Sequence, residues 1–135
     1  MRIKSLVLLA AGVVLTVVPA LAHHSFAAQF DDTKPVKMTG TVTKVEWSNP
    51  HIWFYIDVKD KDGKVANWGF SGGPPGVMMR RGITRNSIKI GDVVVVDGYR
   101  AKDGSNNASS GTVTFTDGRK VFTAAAEDTV PSESK

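Results

Sequence analysis

Residues 38–59 read MTGTVTKVEWSNPHIWFYIDVK, and this stretch decides the fold class. Its second half alternates from His51 to Lys59. Ile52, Phe54, Ile56 and Val58 point one way, while His51, Trp53, Tyr55, Asp57 and Lys59 point the other. A period of two marks a half-buried strand with the aliphatic set towards the core. The first half, Met38 to Trp47, is rich in Thr and Val, as strands are. Its apolar positions Val42 and Val45 lie three apart, which breaks strict alternation and predicts a bulge. Asn49-Pro50 separates the two strands with a turn.

Outward from there, Lys61-Asp62-Gly63-Lys64 predicts a hairpin turn, and Val65 to Phe70 the returning strand. Ser71 to Gly76 (SGGPPG) holds no regular structure. A short helix follows over about Pro75 to Arg81, with Gly82 as its left-handed stop. Gly91-Asp92 opens a strand from Val93 to Tyr99, whose four consecutive valines predict cover on both faces. Ala101 to Gly111 reads as a polar loop. Thr112 to Thr116, the turn Asp117-Gly118, and Lys120 to Ala124 form a last hairpin. Three strands, a short helix and two or three more strands predict a mainly β chain. The pattern fits a small OB-like Greek-key barrel of five to six strands, with a small open sandwich as the other arrangement it allows.

The start of the chain reads as an address. Arg2 and Lys4 precede an apolar run from Leu6 to Val18, broken only by Gly12 and Thr16, and then Pro19 and Ala20-Leu21-Ala22. That order describes a cleavable secretory signal over residues 1–22. The run is well short of the roughly 20 residues that a membrane span needs. The expected protein is therefore exported, periplasmic or secreted, with no stable span after cleavage. It has one barrel domain over 23–126, an N-terminal arm over 23–36, and a polar tail over 127–135.

The chain has 135 residues and a net charge of +4, from 17 basic against 13 acidic groups. Loss of residues 1–22 leaves 15 basic groups against 13, a net of +2 on 113 residues. Nucleic-acid binding wants a basic stripe that this balance does not supply. With no cysteine there is no disulfide, thiol nucleophile, Cys-ligated zinc or iron–sulfur site.

Three histidines carry the chemical interest: His23, His24 and His51. Cleavage after Ala22 makes His23 the amino terminus, where the α-amine and ring Nδ1 close a six-membered chelate on one ion. The α-amine titrates at about 7.7–8.0, low enough for a metal to displace its proton at neutral pH. A second imidazole, from His51 or His24, completes a planar nitrogen site that suits copper. The alternative square plane uses the amine, the deprotonated His24 amide and the His24 ring. Asp31 and Asp32 are candidate oxygen ligands, and Met78 and Met79 candidate thioether ligands. The rival expectation is a metal-free module that binds an exported protein or glycan through the aromatics Trp47, Trp53 and Tyr55. Against both stands the bland reading, in which these aromatics form a minor core joined by Phe26 and Phe30. Docked there, Phe26 and Phe30 would carry His23 and His24 towards His51. Arg80, Arg81 and Arg85 form a local basic cluster, best read as solvated charge near a helix end.

No nucleophile elbow or His-Glu-x-x-His motif is present, and the chain is expected not to be an enzyme. Polysaccharide-cleaving copper enzymes also use an N-terminal His brace, but they are larger.

Several stretches taken together resemble a family of short exported bacterial proteins whose common domain has no assigned function. They are His23-His24-Ser25-Phe26 with Phe30-Asp31, Gly40-Thr41-Val42, Val45-Glu46-Trp47, Asn49-Pro50-His51, Trp68, Arg80-Arg81-Gly82, Ser87, Gly91-Asp92 and Gly98 to Gly104. The resemblance implies no particular activity. It implies that the histidine positions belong to a recurring pattern.

Overall fold

A computed structural model describes residues 25–125. The expected signal over 1–22, His23, His24 and the tail over 127–135 lie outside the described residues. The described chain runs α1 (Ser25–Gln29), β1 (Phe30–Glu46), β2 (Trp53–Lys59), β3 (Val65–Ser71), α2 (Pro75–Arg80), β4 (Val93–Ala101), β5 (Asn107–Ser109), β6 (Thr112–Phe115) and β7 (Lys120–Phe122). None of its helices is long and apolar enough to cross a membrane.

β1 has 17 residues and serves two neighbours. Phe30 to Thr41 pair with β4, and Thr41 to Glu46 pair with β2. The strand turns from one partner to the other at Gly40, where a Cβ would run into the Asp57 carbonyl on β2. Only glycine permits that approach. The predicted bulge is present, as a register shift between Val42 and Lys44. Residues 30–36, assigned to the arm on sequence grounds, belong to the paired strand.

The sheet order β1-β2-β3-β5-β4, with β4 pairing back onto β1, closes a five-stranded barrel. All its pairs are antiparallel except β3 with β5. This is the OB-type Greek key, with α2 between its third and fourth strands. The β1–β4 pairing rules out the open sandwich. β6 and β7 extend the sheet beyond β4, whose second edge is divided between β6 at Val94 to Asp97 and β5 at Arg100.

The interior is filled by the alternating set predicted on β2, with Phe54 and Ile56 fully buried, joined by Val42, Phe70, Val94, Val96 and Val113. A second cluster of Ile52, Met78 and Ile83 lies under α2. The valine run is covered on one face only. Val94 and Val96 are buried, but Val93 is 44% exposed and Val95 half-buried, because among the described residues no layer covers that side of β4. The stretch from Ala101 to Gly111, expected as a loop, contains β5. Its Asn-Ala-Ser sequence has turn chemistry, and only its pairing with Gly69 to Ser71 makes it a strand.

Candidate functional site

His51 is the one predicted metal-ligating histidine among the described residues. It sits just before β2, where the chain is tied to the glycine loop from both sides. Ile52 N–H donates to the Gly73 carbonyl at 3.0 Å, and Gly72 N–H donates to the Ile52 carbonyl at 2.9 Å. Such contact requires glycine: a Cβ on Gly72 would press into Ile52, and one on Gly73 into Met78. The loop thereby presents the Gly72 carbonyl to the half-buried His51 ring, 2.9 Å from Nδ1. A carbonyl only accepts, so Nδ1 carries the hydrogen, and a neutral ring then holds its lone pair on Nε2. Many metal-binding histidines are oriented by this same bond from the other ring nitrogen to a backbone carbonyl.

The other candidate ligands divide clearly. Met78 is fully buried in the second cluster and is removed from ligand duty, whereas Met79 is 58% exposed. Asp31 accepts from the Thr33 amide at 3.0 Å and from the Thr33 hydroxyl at 2.6 Å, and Lys34 lies 3.6 Å away. The Thr33 bonds hold its carboxyl below the usual range, with Lys34 adding to the effect. Asp32 is exposed. Among the described residues no three His, Asp or Glu side chains converge into a group able to hold an ion.

The aromatic set also splits. Trp53 and Tyr55 share the outer face of β2, with ring centroids 6.3 Å apart and planes at 23°. Gly69 on β3 lies beneath the Tyr55 ring, where a Cβ would meet ring carbon Cε1 at 3.0 Å. The Tyr55 hydroxyl donates to Glu46 Oε2 at 3.3 Å, and Lys44 Nζ reaches Glu46 Oε1 at 2.6 Å. That hydrogen bond with Lys44 lowers the Glu46 carboxyl and raises the Lys44 ammonium, while burial raises the Tyr55 phenol. Trp47 is not part of this pair. It packs instead against Ile52, Met78 and Ile83, because the strand ends at Glu46 and the chain turns towards the second cluster.

Of the two N-terminal aromatics, Phe30 lines a groove with Trp53, whereas Phe26 turns to β4. Phe26 meets Phe30 at 5.4 Å and Tyr99 at 6.4 Å, so its aromatic partner across the barrel is on β4 rather than β2. The Lys102 amide donates to the Gln29 carbonyl at 2.8 Å, and its ammonium donates to the Ala27 carbonyl. α1 is thus held against the end of β4. Between α1, the indole of Trp53 and the 101–107 loop lies an open groove of about 350 Å³, with Gln29, Phe30, Lys102, Asp103 and Asn107 on its walls. Sequence reasoning missed this groove, since the residues that form it come from three distant stretches.

Of the basic cluster, Arg80 and Arg85 are exposed. Arg81 has structural partners: its guanidinium donates to the Ala124 carbonyl and lies 5.5 Å from the Phe122 ring centre. It fastens the chain after β7 to α2.

No curated protein and no solved structure matches the chain. A family model does match, over residues 10–111. That span takes in the histidine-bearing start, the glycine loop after His51 and every barrel strand. The chain belongs to this family, DUF6152, a family of unknown function.

Proposed function

We propose that this protein is an exported metal-binding domain that takes copper through His23 and His51, or through His23 and His24, as a carrier, buffer or chaperone. The observation that carries this reading is the bond from His51 Nδ1 to the Gly72 carbonyl, which leaves the Nε2 lone pair available to a metal. One further point supports it: α1, which follows His24 in the sequence, walls the same groove as Trp53, two residues from His51. The donor set fits the ion: an α-amine and two imidazoles form the nitrogen-rich plane that Cu(II) prefers. Bound there, copper would be held for transfer, and the protein's part is to orient the ring of His51 through Gly72.

The test has two parts. Intact-mass measurement of the exported protein should show His23 as its first residue. Cu(II) titration should then show His23→Ala weakening binding by at least about tenfold, with a like loss in His51→Ala where His51 is the second ligand and in His24→Ala where His24 is. A different mature end, or two variants that bind copper like the parent, ends this reading. The stacked pair of Trp53 and Tyr55 favours the second reading, a metal-free binding module. That reading expects Trp53→Ala to lose partner capture while the histidine variants keep it.

A further inference from the structure

The groove beside Trp53 is lined by both apolar and polar residues, and its polar groups are unequally engaged. Phe30 and Ala101, both buried, line it together with Trp53. Asp103, also on its lining, uses one carboxylate oxygen, Oδ1, to accept from the Ser105 amide at 2.9 Å and the Ser105 hydroxyl at 2.6 Å. No hydrogen bond among the described residues reaches its other oxygen. Those Ser105 bonds hold the carboxyl below its usual range, so it remains an ionised acceptor at neutral pH. Asn107 donates to Ser105 at 3.0 Å with one amide hydrogen and retains another. The Gln29 side chain is exposed, and its backbone carbonyl accepts from the Lys102 amide.

We propose that this groove binds a neutral sugar, one or two pyranose rings long, stacked on Trp53 and hydrogen-bonded to Asp103 and Gln29. A pyranose has an apolar C–H face and a rim of hydroxyls that both donate and accept. The groove answers with an aromatic wall, a carboxylate that only accepts, and amides that do both. Charge argues for a neutral ligand. Asp103 is balanced by Lys102, which is held nearby by a bond from its ammonium to the Ala27 carbonyl. A space of about 350 Å³ is at the small end of the range for organic ligands. Among the described residues no histidine lines it, and a chelator in the test separates sugar binding from the copper reading.

The experiment is titration of the mature protein, with a chelator present, by neutral trisaccharides of glucose, N-acetylglucosamine and xylose. It is followed by Trp fluorescence and by amide chemical shifts. At least one sugar should saturate, with shifts concentrated at residues 28–30, 53 and 101–107. Trp53→Ala and Asp103→Asn should each weaken that sugar by about tenfold or more, while Lys120→Ala on the far hairpin leaves it unchanged. Asp103→Asn changes an exposed charge and retains an acceptor for Ser105, so it reads the site even where Trp53→Ala fails to fold. The proposal is overturned if no sugar saturates, if the shifts map elsewhere, if Asp103→Asn binds like the parent, or if a neutral tripeptide fills the groove as well as any sugar.

Discussion

Single residues set how closely the strands approach one another, and glycine is the residue that matters most for this. At Gly98, in β4, a Cβ would be driven into the Ser109 carbonyl of β5, beside the bond from the Tyr99 amide to the Ser109 hydroxyl at 3.0 Å. That contact is backbone against backbone, so nothing flexible can give way. Gly98→Ala should therefore cost about 3 kcal/mol or more in urea unfolding, by pushing β5 off β4. Gly118, in the last hairpin, is a useful contrast. Its φ of +85° suits glycine, but a Cβ there meets nothing. Gly118→Ala should cost only about 1 kcal/mol, the conformational penalty alone. Equal losses at the two sites would refute the packing argument. Both glycines are visible in the sequence, yet only the strand that packs on Gly98 distinguishes them.

Among the elements, β2 is the one the amino-acid pattern predicts best. Its inward residues fill the barrel, and Phe54 stacks on Phe70 across the pair of strands at 5.7 Å. Phe54→Ala should lose about 3–5 kcal/mol, whereas Ile90→Ala, at a position 70% exposed, should stay within about 0.5 kcal/mol in the same unfolding assay. The outward residues of β2 divide by function. Trp53 borders the groove, Tyr55 joins the Lys44–Glu46 pair, and His51 before them turns to the glycine loop. Alternation placed all three on one side but could not say what each would meet there. β5 is the opposite case. Three residues of turn-like sequence become a barrel strand because β3 and β4 leave backbone groups to be paired there, and local propensity carries no trace of that demand.

At the scale of the whole molecule, the family match ends at residue 111, but the fold does not. Val113, Phe115, Ala124 and Ala125 beyond it are buried, and the Thr123 carbonyl accepts from Gly73 in the loop that orients His51. Truncation after Gly111 should therefore remove the near-ultraviolet circular dichroism and amide shift dispersion of the native state, and a fully native spectrum would contradict this packing. Stability should also depend on pH at both extremes. Asp31, Glu46 and Asp103 have carboxyls lowered on folding, so what they contribute is present above their ordinary values of 3.8, 4.5 and 3.8 and lost as pH falls through the lower folded values. The raised Lys44 and Tyr55 contribute below 10.5 and 10.0, and that is lost as pH rises through their folded values. Denaturant midpoints should thus fall as pH drops below about 4 and as it rises above about 10. By itself the sequence determined the mainly β class, the bulge, the helix with its Gly82 stop and the inward face of β2, because each follows from periodicity or backbone sterics within a few residues. It also singled out His51. Tertiary structure alone decided that β1 and β4 close the barrel, that Trp47 leaves the aromatic pair, that Met78 is core, and that the Gly72 carbonyl fixes the His51 ring. Each of these depends on contacts between segments far apart in the chain, whose energies no local pattern records.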